Sequence, residues 1–149
     1  MIAAHWYEDF EVGARFVTET RTVTDQDIGA FADVSGDRNP LHLDEAYAAE
    51  RGYGGKIAHG VLGLAVATGL ANQAGLTRGT LLAFLGLDWN FRRPLRPGDT
   101  VRLQIEIASK RETSRPDRGL VRLAMALVNE AGERIQDGNW TILVARRPG

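Results

Sequence analysis

Cysteine is absent from the 149 residues, which excludes a disulfide framework, a thiolate nucleophile and a cysteine-based zinc site together. That composition fits a reducing cytoplasm. No sign of charge dominates either: 18 basic against 19 acidic side chains leave a net charge of −1. No overall field recruits a polyanion, so nucleic acid is not an expected partner. Low-complexity tracts, like-charge blocks, repeats and linkers are missing as well. The three histidines, His5, His42 and His59, lack metal-ligand spacing such as H-x-x-x-H, and no metal is expected. The start, with His5, Trp6, Tyr7, Glu8 and Asp9, has neither the basic end nor the apolar run of a secretory signal. One uncharged stretch runs from Ile57 to Thr77, but Gly60, Gly63, Gly69 and Gly75 dilute it. His59, Asn72 and Gln73 would have no partners in lipid, so the stretch reads as a core helix and no membrane partner is expected.

What is present is the balance of an ordinary globular domain, 44% apolar and 25% charged. The length suits one domain over residues 1–149, burying roughly two-thirds of its unfolded surface. Ala14 to Val23 reads as a strand rich in threonine and valine. Thr24 with Asp27 forms the signature of a helix start, Ile28, Phe31 and Ala32 give that helix one apolar face, and Gly36 ends it. A second short helix is expected from about Asp44 to Arg51. The segment from about His59 to Ala74 is apolar on nearly every side and is expected to be surrounded by protein. From Thr80 onward the period is that of strands: Val101, Leu103, Ile105 and Ile107 alternate with polar residues, and Val121, Leu123, Met125 and Leu127 do so again. Trp140, Ile142 and Val144 alternate with Thr141, Leu143 and Ala145, a strand expected to be covered on both faces. Four or five strands with short turns imply an antiparallel sheet, and the apolar helix is the available cover for it, an α+β layer structure.

The chemistry-bearing residues concentrate in Ser35-Gly36-Asp37-Arg38-Asn39-Pro40-Leu41-His42. Pro40 has a fixed φ and biases Asn39 away from helical geometry, so Asp37 and His42 are expected on a constrained turn between two helices. At neutral pH an aspartate is a carboxylate and a histidine mostly a neutral imidazole. Such a pair can hold a water, take its proton and return a proton elsewhere. The same residues also suit a plain turn, with Asp37 and Asn39 as turn formers and His42 as a capping or core side chain.

The string S-G-D-x-N-P-x-H, preceded by Phe31 and followed by Asp44, resembles the signature of the MaoC-like hydratases, the (R)-specific or type 2 enoyl-CoA hydratases. The similarity continues in Ile57-Ala58-His59-Gly60 and in Phe91-Arg92-Arg93-Pro94-Leu95-Arg96-Pro97-Gly98-Asp99-Thr100, so nearly the full chain takes part. The resemblance implies a hot-dog fold, in which a curved antiparallel sheet wraps a long central helix. It also implies a homodimer with sites near the subunit interface, and reversible, cofactor-free hydration of trans-2-enoyl-CoA to (3R)-hydroxyacyl-CoA. Carried over by residue, the catalytic pair is Asp37 and His42, with Asn39 in support. Gly60 matches the position whose N–H is expected to bind the thioester oxygen, a helix-start donor that would stabilise the negative charge formed when water adds at Cβ. A glycine needed only for packing remains the alternative there.

His59 is assigned a structural hydrogen bond at the start of the helix. Lys56, Arg92, Arg93 and Arg96 are candidates for the phosphates of CoA, or are simply a solvated basic face. The carrier is CoA or acyl carrier protein. Two rival classes stand beside the hydratase: a hot-dog acyl-CoA thioesterase, which does not share the full string, and a non-catalytic acyl-binding domain, which would not need both Asp37 and His42. Acyl-chain capacity is expected to depend on packing around Leu62, Val66, Leu81 and Phe84.

Overall fold

The computed structural model describes residues 1–149. Local signals set its helix boundaries. The helix α1 (Asp25–Ser35) starts with a reciprocal capping box, Thr24 Oγ1 accepting from Asp27 N–H while Asp27 Oδ2 accepts from Thr24 N–H. It stops at Gly36, whose φ of 77° lies in the left-handed region that favours glycine. The helix α3 (Glu45–Glu50) begins at Asp44, which caps Tyr47 N–H. Between them the expected turn contains one more element, α2 (Pro40–Leu43), a single helical turn that Asn39 caps by accepting from Leu41 N–H at 3.0 Å. Proline at the first helical position suits this start, where its missing N–H costs nothing. His42 is therefore held on a helical turn rather than on a loop.

Five antiparallel strands, β1 (Arg15–Thr22), β2 (Leu81–Phe91), β3 (Thr100–Glu112), β4 (Arg118–Asn129) and β5 (Arg134–Ala145), lie in the order β1-β3-β4-β5-β2. All four α-helices belong to the long connection between the two edge strands, so the chain passes under the sheet from one edge to the other. Register shifts interrupt four of the strands, and such bulges bend a sheet. At the β1 bulge the buried Thr18 hydroxyl accepts from Leu103 N–H at 2.9 Å.

The result is the hot-dog arrangement, a curved sheet around α4 (Gly60–Ala74). Leu62, Val66 and Leu70 of α4 join Leu103, Ile105, Leu123 and Trp140 of the sheet in one core cluster. A leucine-to-alanine change at such a site costs about 2 to 5 kcal/mol. Two expectations need correction. The helix is not surrounded on all sides: Val61, Ala65, Thr68 and Asn72, spaced as one helical stripe, are exposed. Small and apolar residues read alike whether their own chain covers them or not. The β5 strand buries Trp140, Ile142 and Val144, while Thr141, Leu143 and Ala145 are only half-buried. No helix is long and apolar enough to cross a membrane.

Candidate active site

Three segments meet at the N-terminal end of α4, and main-chain hydrogen bonds lace them together. Ile57 N–H donates to Leu41 O at 3.2 Å, which ties α2 to the approach of α4. Ala58 N–H donates to Leu95 O at 2.6 Å, and Leu95 is fully buried, which ties in the loop after β2. Asp37 is fixed at both ends of its own residue. Its N–H donates to Ser35 Oγ at 3.0 Å, and its carbonyl accepts from His59 Nε2 at 2.8 Å. Its carboxylate remains exposed, with Oδ1 accepting from Asn39 N–H at 3.2 Å.

The two imidazoles are oriented by backbone. His42 Nδ1 lies 2.8 Å from Ile57 O. A carbonyl oxygen can only accept, so Nδ1 carries the hydrogen, and the neutral ring presents the lone pair of Nε2 outward. His59 is 2% exposed and uses Nε2–H on Asp37 O, which leaves its buried Nδ1 without a partner. This is the structural bond expected of His59. The rings of Phe31, His59 and His42 form a ladder, with centroids 4.8 Å apart for the first pair and 3.8 Å for the second.

Donor atoms of Asp37, His42 and His59 lie within 4.8 Å of one another. Atoms this close allow the Asp37 carboxylate and the His42 ring to share one bound water.

Gly60 begins α4. Its cap residue, His59, makes no side-chain cap hydrogen bond, and neither Gly60 N–H nor Val61 N–H donates in any of the turn and loop bonds. These donors sit at the positive end of the helix dipole, the kind of place where developing negative charge is stabilised. A Cβ on Gly60 would lie 2.8 Å from ring atoms of Phe91, so the close packing of that ring against the helix start depends on glycine.

Of the four cations expected near substrate, three are already engaged. Lys56 pairs with Asp25 at 2.7 Å, Arg92 with Asp137 at 3.1 Å and Arg93 with Glu133 at 3.1 Å. Arg96 is in no ion pair, and it follows Leu95, the residue bonded to Ala58. The Arg92 partner is notable: burial would raise the Asp137 pKa, but hydrogen bonds from Arg134 and Arg92 outweigh it and hold the carboxyl below its ordinary value.

A small apolar cavity of about 100 Å³ lies farther along α4, between Thr68, Ala71 and Asn72 and the sheet residues Phe84, Met125 and Trp140. Leu81 also lines it, whereas Leu62 and Val66 belong to the core. A larger cavity of about 530 Å³, among Arg15, Asp88, Gln104 and Glu106, contacts none of Asp37, His42 or Gly60. Sequence reasoning missed Gln136 and Trp89, which stand behind Gly60. Parity held the signal, because Gln136 falls on the same face of β5 as Trp140, Ile142 and Val144, a polar residue in a core-facing row.

Residues 9–127 match the family described as MaoC like domain. A 3-hydroxybutyryl-CoA dehydratase of Methylorubrum extorquens is 33% identical over 95% of this chain and 85% of its own length. An (R)-specific enoyl-CoA hydratase of Aeromonas caviae is 33% identical over 71% of this chain and 75% of its own. The solved structure of a MaoC-like dehydratase from Rhodospirillum rubrum superposes with a TM-score of 0.89 at 30% identity, covering 98% of this chain and 100% of that one.

Proposed function

The chain belongs to the MaoC-like family, whose relatives above are named hydratases and dehydratases, and from that premise we propose that it is an (R)-specific enoyl thioester hydratase with Asp37 and His42 as its acid/base pair. The observation that carries this reading is the meeting of the exposed Asp37 carboxylate, the outward His42 Nε2 and the free Gly60 N–H at one helix start. Water held between Asp37 and His42 adds its oxygen to Cβ of a trans-2-enoyl thioester and gives a proton to the pair. The π pair of the Cα=Cβ bond shifts to join Cα to the carbonyl carbon, the carbonyl π pair moves onto the thioester oxygen, and Gly60 N–H donates a hydrogen bond to that oxyanion. A proton returned to Cα completes the hydrated product, and no redox change occurs. Asn39 supports the pair by capping α2 and so fixing the turn that carries His42.

A fixed pair delivers water to one face, and the product assigned is the (3R)-hydroxyacyl thioester. Arg96 is the cation left free to meet carrier phosphates, on CoA or acyl carrier protein. The active species assigned is a homodimer. Along the edge strand β2, Leu81, Leu82, Phe84, Leu85, Leu87 and Phe91 are each 42% to 55% exposed, and the stripe on α4 is open beside it. A long apolar edge is an aggregation hazard unless something covers it, and a second copy across a two-fold axis does so.

The test is a panel of trans-2-enoyl-CoAs of increasing length, followed by loss of the conjugated thioester absorbance and by chiral analysis of the product. The expected result is absorbance loss without thiol release and a (3R) product. Free thiol in place of hydration would make the protein a thioesterase, and a (3S) product would overturn the substrate orientation.

A further inference from the structure

Behind Gly60 lies a buried polar pair that the proposed chemistry does not use. Gln136 of β5 is 1% exposed, and each heteroatom of its amide has one partner. Its Oε1 accepts from Trp89 Nε1 at 2.8 Å, and its Nε2 donates to Gly60 O at 2.9 Å. Room for it exists because residue 63, one turn along α4, is glycine: a Cβ there would collide with the Gln136 amide. Burying a polar side chain in a core-facing row costs stability unless its hydrogen bonds are complete. Here both amide heteroatoms are partnered only because a tryptophan, a glutamine and a glycine on three elements agree in position. Apolar residues at all three positions would fill the same space more simply, so the network serves something other than packing.

We propose that Gln136 is a positioning residue for the oxyanion-binding end of α4, acting through the Gly60 carbonyl. This rests on the hydratase reading. The Gly60 carbonyl belongs to the peptide whose N–H is that of Val61, and its orientation fixes ψ of Gly60. Glycine is the residue least able to hold that angle by itself. A hydrogen bond to the carbonyl locks the first peptide plane of the helix and polarises it, which strengthens the donor on its other side. Trp89 in turn fixes which end of the Gln136 amide faces Gly60, because an indole N–H only donates. The Val61 N–H, which stands beside that of Gly60 at the helix start, is thus aimed before substrate arrives, the condition under which fixed dipoles stabilise a transition state without reorganising.

Two variants separate aim from packing. Gln136→Met keeps length and volume but cannot donate to Gly60 O. Gly63→Ala leaves Gln136 in the sequence and pushes its amide away, while alanine is the better helix former. Both should lower kcat by roughly tenfold to hundredfold, the scale of a small misplacement of a catalytic group, with KM within about threefold because ground-state binding is little changed. The double variant should lose no more than Gln136→Met alone. Amide signals of Gly60 and Val61 should shift and exchange faster in both. The core control Leu127→Ala, assayed well below its own Tm, should keep its kcat. Wild-type protein that hydrates no enoyl thioester overturns the hydratase reading and this inference with it. Active wild type with unchanged kcat in the variants, a loss confined to KM, or an equal loss in Leu127→Ala overturns the positioning role alone.

Discussion

Replacing Asp37 by Asn and His42 by Ala separates chemistry from folding, because the structure gives the two changes different structural costs. Asn at position 37 keeps an Oδ1 that can accept from Asn39 N–H, and Asp37 is exposed. Surface changes of this kind usually stay within about 0.5 kcal/mol of neutral. Ala at position 42 removes the bond to Ile57 O and the ring stacked 3.8 Å from His59. The site is half-buried and water can reach the carbonyl, so the loss is about 1 kcal/mol. For a chain of this length that is a fall in Tm of about 2 to 4 °C. Each change should reduce kcat/KM by roughly 10²-fold to 10⁴-fold, the usual worth of a positioned acid or base. At 1.36 kcal/mol per decade this is about 2.7 to 5.4 kcal/mol of transition-state stabilisation, well above either structural cost. If the two groups act on one water, the double variant loses little more than either single one. The assay is kcat/KM on a crotonyl-like thioester beside a thermal melt. Near-normal turnover in either single variant would refute the pair, and losses that multiply would refute the shared water.

Gly60→Ala should leave the melt unchanged or slightly raised, since the exposed Phe91 ring can swing aside and alanine favours helix, yet it should slow hydration about tenfold by narrowing the approach to the N–H. Arg96→Ala should raise KM for CoA thioesters and leave a carrier-truncated thioester unaffected; equal effects on both would remove the phosphate role. Leu85→Lys places a charge on the apolar edge and should shift sedimentation from twice 16.3 kDa to 16.3 kDa; an unshifted dimer would move the interface elsewhere. Asp137→Asn tests the lowered carboxyl pKa: because the folded value lies below the usual one, its stabilisation is present above about pH 4 and is lost as pH falls through the folded pKa. The variant should melt lower at pH 7 and show a shallower acid limb, and parallel limbs would refute the Arg92 and Arg134 contribution.

Legibility of the fold followed locality. The capping box at Thr24 and Asp27, the glycine stop at Gly36 and the alternation from Val101 to Ile107 each depend on neighbours a few residues apart, and each forms as expected. The four-residue α2 falls below the length over which a helical period can be counted. Strand order depends on pairings such as Arg15 with Glu106 and Phe91 with Gln136, between residues far apart in the chain. The β2 strand escaped delineation because leucine occurs on both of its faces, leaving no alternation to read. At the site, the motif singled out Asp37, His42 and Asn39 as candidates that the fold places at the start of α4, but the charge cluster could not say that Arg92 and Arg93 are already paired. Gln136 needed the third dimension, since its partners lie 47 and 76 positions away.

The choice of groups that orient the imidazoles bears on how two acid/base residues suffice. A histidine base is often oriented by a carboxylate, which then has little freedom to act on anything else. Here the Ile57 carbonyl holds His42 Nδ1, and the only polar partner of the Asp37 carboxylate is the N–H two residues on. The carboxylate therefore keeps its second oxygen free, which the proposed water shared with Nε2 of the same histidine requires. Folding sets the tautomer, because the carbonyl that selects it belongs to the α3-to-α4 connection that Leu95 also ties down. The same approach delivers Gly60, three residues after the carbonyl that holds His42. On the proposed reading, displacing that approach changes proton transfer and charge stabilisation together, so the loop that holds it through Leu95 bears on both.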